Sequence, residues 1–423
     1  MDARAHTVVG WLESRRILGR IAFVVVRDDA ETRQLTVTDP PLIERLRAIR
    51  PQSLVRIHAS RAGRDSARPD ELEVDELDVL VNAPPLPFPV DRELADRTGP
   101  SLRTLLRHPA VRLRGRQERA IFRLQSDLLA ILRAGLLDDG FVEVVTPRFL
   151  SDPSEGGAEL LRAAYFGGEV SLSQSTQLYR QMLLPELSRV FELTSIFHAD
   201  RHSTRWHLNE FGAIEVELDG ISGLGDVIDA TERLVGAVFA HLTGAARGLV
   251  ADLGVAPPVT TDPLPRLHYA DALDILRSRY GLDVADKYNL TPTGNRLLSE
   301  WIRENHGSDV AVLVGSPGRD AQFYDMMDPQ RPEYTNTFIV LCRGVSFVHG
   351  GQRLHDLDDY DRSLRARGAR RDSLRCYLDV VARGLRPHGG FSVAIARLQT
   401  AALQLDNVRR AVMFPRDSSI LTP

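Results

Sequence analysis

The run RQERAIFRLQSDLLAILRAGLLDDGFVEVVTP, residues 116–147, decides the fold class of the larger part of this chain. Ile121, Leu124, Leu128, Ile131 and Leu136 recur at helical spacing, so a helix over 116–139 would carry one apolar face. Gly140 ends that pattern, and FVEVVTP reads as a strand. Further on, strands and helices mix without a regular strand–helix–strand period. Neither a GxGxxG motif nor a phosphate-binding P-loop occurs. The expected class is therefore α+β, built on an antiparallel sheet rather than a doubly wound parallel one.

Upstream the pattern differs. HTVVGWL (6–12), GRIAFVVVR (19–27), RQLTV (33–37), LVRIHAS (54–60) and ELEVDELDVLV (71–81) are rich in β-branched residues and partly alternate. PLIERLRAI (41–49) reads as a helix between the third and fourth. Five strands with a helix in that place suit an OB-type barrel, a fold that binds oligonucleotides on one face. A proline-rich stretch, APPLPFPVD, follows and reads as a stiff extended hinge. The expected organisation is a barrel over 1–84, a hinge with an irregular connector over 85–110, and a catalytic-type domain over 111–423.

Bulk properties narrow the function. The chain has 423 residues, 43% of them apolar, and a net charge of −4. No long basic run gives the footprint of a non-specific nucleic-acid binder, so any RNA contact must come from local patches. Lys287 is the only lysine and arginine supplies the remaining basic side chains, a pattern that a GC-rich genome explains. Cys342 and Cys376 cannot build a disulfide framework and lack metal-site spacing. No signal-like start and no membrane-length apolar run is seen, so a soluble cytoplasmic protein without a membrane partner is expected.

Blocks along nearly the whole chain are similar to one family, the class II aminoacyl-tRNA synthetases of the aspartyl/asparaginyl group, in their compact archaeal form. They are VVGW (8–11), GRIAFVVVRD (19–28), GFVEVVTPRFL (140–150), SEGGAELL (154–161), QSTQLYRQM (174–182), RVFELTSIFHADRHSTRWHLNEF (189–211), GGQRLHD (350–356), RPHGGFSVAIARL (386–398) and FPRDSSILTP (414–423). The resemblance implies an anticodon-binding OB barrel, an antiparallel-sheet catalytic domain and a homodimer with Pro147 at its interface. Aspartate, tRNA, and ATP with magnesium are the substrates it implies.

It also implies roles for single residues. Phe23 and Gln34 match the barrel residues that stack on and pair with unpaired bases, and Arg27, with Arg15 and Arg16, could neutralise phosphates. From the residues alone, Phe23 could equally be barrel core and Gln34 a solvated strand residue. Arg353 matches the arginine that grips the aspartate side chain, a task suited to its planar fork. Gln177 matches a substrate-contacting glutamine. Arg180 stands for a family lysine, Glu215 for a family aspartate near the ammonium, and Glu155 lies in the loop that closes over it. Structural ion pairing is the plain alternative for both arginines.

The nucleotide end departs from the pattern. His207, Phe211 and Arg397 match the family, the last two flanking adenine. His198 replaces the arginine that holds the α-phosphate, and Trp206 replaces another arginine. Ser346 and His349 replace the glutamate and serine that hold magnesium. Ser392 and Ala394 replace glycines, and Ala396 replaces a glutamate. His198, Asp200, Ser346 and His349 should then line the vacated region, as acid–base groups, as ligands of a transition metal, or as plain packing. Read this way, the sequence favours a paralogue that binds an aspartyl group, free or on tRNA, and transfers or cleaves it without the standard adenylation. A divergent aspartate–tRNA ligase and a non-catalytic tRNA-binding or regulatory protein are the alternatives.

Overall fold

Inward-facing Ala22, Val24 and Val26 alternate with outward-facing neighbours, and this period of two wraps the first strands around a core. The computed structural model describes residues 6–28, 31–61, 71–90, 99–151, 160–199, 204–282, 290–369 and 371–421. The chain divides into two compact units, Met1–Pro89 and Val90–Pro423. In the first, strands His6–Leu18, Ile21–Arg27, Thr32–Val37, Leu72–Val81 and Leu54–Arg61 close a barrel in that spatial order. The helix Pro40–Ala48 plugs it with Ile43 and Leu46, as the OB reading expects. Gly10 is required where strands meet closely, because a Cβ there would lie 2.3 Å from the Arg27 carbonyl oxygen.

The second unit begins differently from expectation. The irregular connector expected over 95–110 is helical in its described part from Ser101 on: Ser101 caps a helix over Leu102–Arg107, and Pro109–Arg112 adds a further turn. Their cause is local. The Ser101 hydroxyl accepts from Thr104 N, and Pro109 suits the first turn of a helix. Arg112 is fully buried, pairs with Glu118 at 2.7 Å and donates to the Arg410 carbonyl, so this segment is locked onto the catalytic unit.

The long helix runs Arg116–Asp138 and ends where Gly140 takes φ +79°, with Phe141 N donating to Leu136 O at 2.9 Å. It packs, with Leu224–Thr243 and Ile395–Ala402, on one face of an eight-stranded sheet. The strand order is Arg266–His268, Val310–Val314, Thr337–Cys342, Val345–Gln352, His388–Ala394, Glu210–Asp219, Arg189–Phe197 and Val142–Glu143. Neighbours are antiparallel except for the parallel pair at each edge. Phe191, Ile214, Val216, Phe391, Val393, Phe338 and Val340 face the helices. Their alternates point to the opposite face, and these build the site. Among the described residues, no helix is long and apolar enough to cross a membrane.

Candidate active site

Cross-strand register aligns the polar face. Glu192 lies opposite Glu215, Glu215 opposite Ser392, and Ser392 opposite His349, so one row of side chains crosses four strands. One step along, Glu217 faces Gly390, which faces Gly351. A Cβ at Gly390 would lie 2.4 Å from the Glu217 carboxyl carbon, so that glycine leaves room for the carboxylate. The strand before GGQRLHD has an irregularity between Val340 and Leu341: Val340 pairs with Val348 but Leu341 with Ser346. Phe347 is the extra residue, and both Phe347 and Val348 enter the helix-side core. This bulge is what lets Ser346 and His349, three apart, both turn away from the helices. His349 lines the cleft above the sheet, whereas Ser346 lines a neighbouring pocket with Trp206 and Arg397, so the two do not share one region as expected.

Above the sheet lies a cleft of about 410 Å³ lined by Gln177, Arg180, His198, His207, Phe211, Glu215, His349, Arg353 and Arg397, among others. The structure therefore brings together the amino-acid and nucleotide residues expected from sequence. Asp200 and Glu155 lie outside the described residues.

One end of the cleft is an ion-pair lattice. Arg180, 1% exposed, holds Thr176 Oγ1 at 2.8 Å, Glu215 Oε2 at 2.9 Å and Glu192 Oε2 at 3.4 Å. Arg353 sets Nη1 3.0 Å from Asp325 Oδ1 and Nη2 3.5 Å from Glu217 Oε1. With its oxygen turned towards Arg353, the Gln177 amide accepts from Arg353 Nε at 2.9 Å and from Gln181 Nε2 at 2.8 Å. Both arginines thus join the structural pairing and the cleft lining. Glu192, Arg148, Glu217 and Asp325 were not singled out from sequence, because their partners lie far away along the chain. Burial pushes Glu192 up, but hydrogen bonds from Arg148 and Thr146 outweigh it and hold the carboxyl below its usual range. Burial raises Glu217 to about 6 despite Arg353 and Arg180, and it raises Asp325 as well.

The other end of the cleft gathers His198, His207, His349 and Arg397. The His198 ring meets Phe211 edge-on at 5.4 Å, and His207 Nδ1 is 2.6 Å from Thr204 Oγ1. Burial, then nearby Arg397, drives His349 down to about 4, so its imidazole is uncharged at neutral pH. Arg397 reaches Trp206 O and Ser346 O, each at 3.4 Å, and burial lowers its pKa. His198, Trp206, His207, Leu208, Phe211, Ala394, Ala396, Arg397 and Val408 also line a small cavity of about 50 Å³. Magnesium prefers carboxylate oxygen, and Ser346 and His349 do not offer it. Among the described residues, no group of three or more His, Cys, Asp or Glu side chains could hold a metal ion.

In the barrel, Phe23 is half-buried on the outward-facing set of its strand and Gln34 is exposed, so neither is core. Arg27, on the same outward-facing set as Phe23, is tied to Glu13 at 3.0 Å and lies 4.6 Å over the Trp11 ring, which leaves its charge largely answered by neighbouring strand residues.

An OB-type barrel followed by an antiparallel sheet with helices on one face and a cleft on the other is a class II synthetase architecture. The chain belongs to the class II tRNA synthetases (D, K and N), whose family model matches residues 101–418. It is 33% identical over 429 residues to an aspartate–tRNA(Asp/Asn) ligase of Thermus thermophilus, covering 100% of this chain and 99% of that protein. It is 32% identical over 419 residues to the Deinococcus radiodurans aspartate–tRNA(Asp/Asn) ligase, covering 98% of this chain and 94% of that protein. The structure matches asparaginyl-tRNA synthetase from Pyrococcus horikoshii complexed with asparaginyl-adenylate, with a TM-score of 0.89 and 27% identity over 100% of this chain and 97% of that one.

Proposed function

We propose that the protein is a divergent aspartate–tRNA ligase, which activates aspartate with ATP and esterifies it to tRNA. The observation that carries this reading is the end-to-end match, barrel included, to aspartate–tRNA ligases. It outweighs the preference for a non-adenylating paralogue that the altered motifs suggest. In this reading Arg353 and Gln177 hold the ligand side chain, and Glu215 faces its ammonium with Arg180 fixing Glu215 in place. Phe211 and Arg397 take the adenine, and Arg397 supplies cationic charge near the phosphates. Phe23 and Gln34 present the barrel's RNA face. A cytoplasmic homodimer belongs to the same proposal. Beside Pro147, Val145 is 93% and Phe149 54% exposed, apolar surface that a second subunit would cover.

A second reading rests on His198, Ser346 and His349: an aspartyl group delivered already activated, for example on tRNA, would need no phosphate grip. Aspartate-dependent ATP–pyrophosphate exchange separates the two. Robust exchange supports ligation and ends the second reading. Absence of exchange, with release or transfer of aspartate from aspartyl-tRNA, ends the first. No turnover of either kind, with tRNA binding that weakens about tenfold on Phe23→Ala, would leave a non-catalytic tRNA-binding protein.

A further inference from the structure

The Arg353 fork does not stand open to a ligand. Nη1 is taken by Asp325 Oδ1 at 3.0 Å, while Nη2 meets Glu217 Oε1 at 3.5 Å and the Gly390 carbonyl at 3.4 Å. Asp325 is clamped from its other side as well. Gln322 N donates to Oδ2 at 2.9 Å, and the Asp325 backbone forms a bridge with that of Arg353. Only 5% of Asp325 is exposed, yet it lines the cleft. A protein carboxylate therefore sits where a ligand's side-chain carboxylate would make its two-bond grip. Glu217 cannot be the displaceable one: it stands on a central strand, backed closely by Gly390. Asp325 comes from the irregular segment between two strands.

The local charge points the same way. Among the described residues, Glu192, Glu215, Glu217 and Asp325 face Arg148, Arg180 and Arg353, and Arg367 also acts on Asp325, so the acids of this end are already matched by guanidiniums with none to spare. A ligand β-carboxylate adds another negative charge beside Asp325. A β-carboxamide adds none, and its NH2 can donate to Asp325. Specificity is a difference between affinities, and a fixed like charge subtracts from one side only.

We propose that Asp325 is the side-chain selectivity residue of this pocket: by filling the Arg353 fork it relaxes the preference for aspartate, so that the amide, asparagine, is accepted nearly as well. The proposal rests on the cleft being the amino-acid site of a ligase. The test is titration of aspartate and of asparagine into the full chain and its Asp325→Asn variant, read by calorimetry and by thermal stabilisation, with folding checked by circular dichroism. The wild type should bind the two amino acids within about tenfold of each other, and Asp325→Asn should shift the ratio towards aspartate by about tenfold or more. A wild-type preference for aspartate of about a hundredfold overturns the proposal, and so does a folded variant whose ratio is unchanged. If the variant fails to fold, the wild-type ratio decides alone. Failure of both amino acids to bind the wild type would instead remove the amino-acid site itself, and the proposal with it.

Discussion

The two ends of one cleft, built on the same face of the same sheet, obey different rules. At one end, among the described residues, buried arginines meet buried carboxylates: Arg180 meets Glu192 and Glu215, Arg353 meets Asp325 and Glu217. At the other end His349 is neutral, His198 leans on an aromatic ring, and Arg397 is held by weak contacts to carbonyl oxygens. A lattice of mutual ion pairs resists single substitutions, because each change strands a charge in low dielectric. A row of residues whose main partner was a ligand carries no such penalty. The difference lets the paired end vary only by exchanges that keep charge, while the other end can vary more freely.

The comparison breaks most directly at Arg353. Arg353→Ala would leave Glu217 and Asp325 buried without their cation, costing about 3–5 kcal/mol of stability. Urea unfolding should show it, and stabilisation by amino acids should vanish as well. A loss of binding without loss of stability would mean that the lattice is not structural. At the other end Arg397→Ala should do the reverse. It leaves no buried carboxylate stranded, so the melting temperature should hardly move, while pyrophosphate exchange falls about a hundredfold.

A pH experiment sharpens the contrast within the lattice. Glu217 titrates near 6 in the folded chain, against an ordinary 4.5. The folded state therefore binds the proton more tightly than the unfolded one, and stability from this group is lost as pH rises from 4.5 through 6. The loss is at most about 2 kcal/mol, since each pH unit separating the folded and unfolded titrations is worth about 1.4 kcal/mol. Glu217→Gln should flatten the stability profile across that window relative to the wild type. An unchanged slope would show that Arg353 and Arg180 fully offset the burial.

Much of this architecture could be read from one sequence. Ala22, Val24 and Val26 announce an inward face by alternation, and Ile121, Leu124, Leu128 and Leu136 announce a helix by spacing; both signals are local. Arg353 and Gln177 were legible through their family blocks. What escaped is non-local. Asp325 sits in an irregular segment with no period, and its significance lies wholly in an arginine 28 positions away. The Phe347 bulge leaves no compositional mark, yet it alone turns Ser346 and His349 to one side. The helix at 102–107 was missed because an isolated short segment has too few residues for a period to show. Its real support, Arg112 pinned to carbonyls near residue 410, is nearly three hundred residues distant.

The smallest effect tests whether the neutral end is a handicap or a different design. His198 faces the cleft beside Phe211 and is only half-buried, so a longer cation can be accommodated there. His198→Arg adds permanent positive charge where a phosphate would lie. In a ligase limited by a weak phosphate grip, exchange should rise about tenfold, less than the hundredfold or more a complete electrostatic site supplies, because Ser346 and His349 still offer no carboxylate. The gain should appear in kcat rather than in the aspartate KM, since the change lies away from Arg353. If exchange stays flat in a folded variant while aspartyl-tRNA turnover falls, the histidine is working chemistry rather than a missing arginine. The two ends would then differ in function and not merely in how strongly each is held.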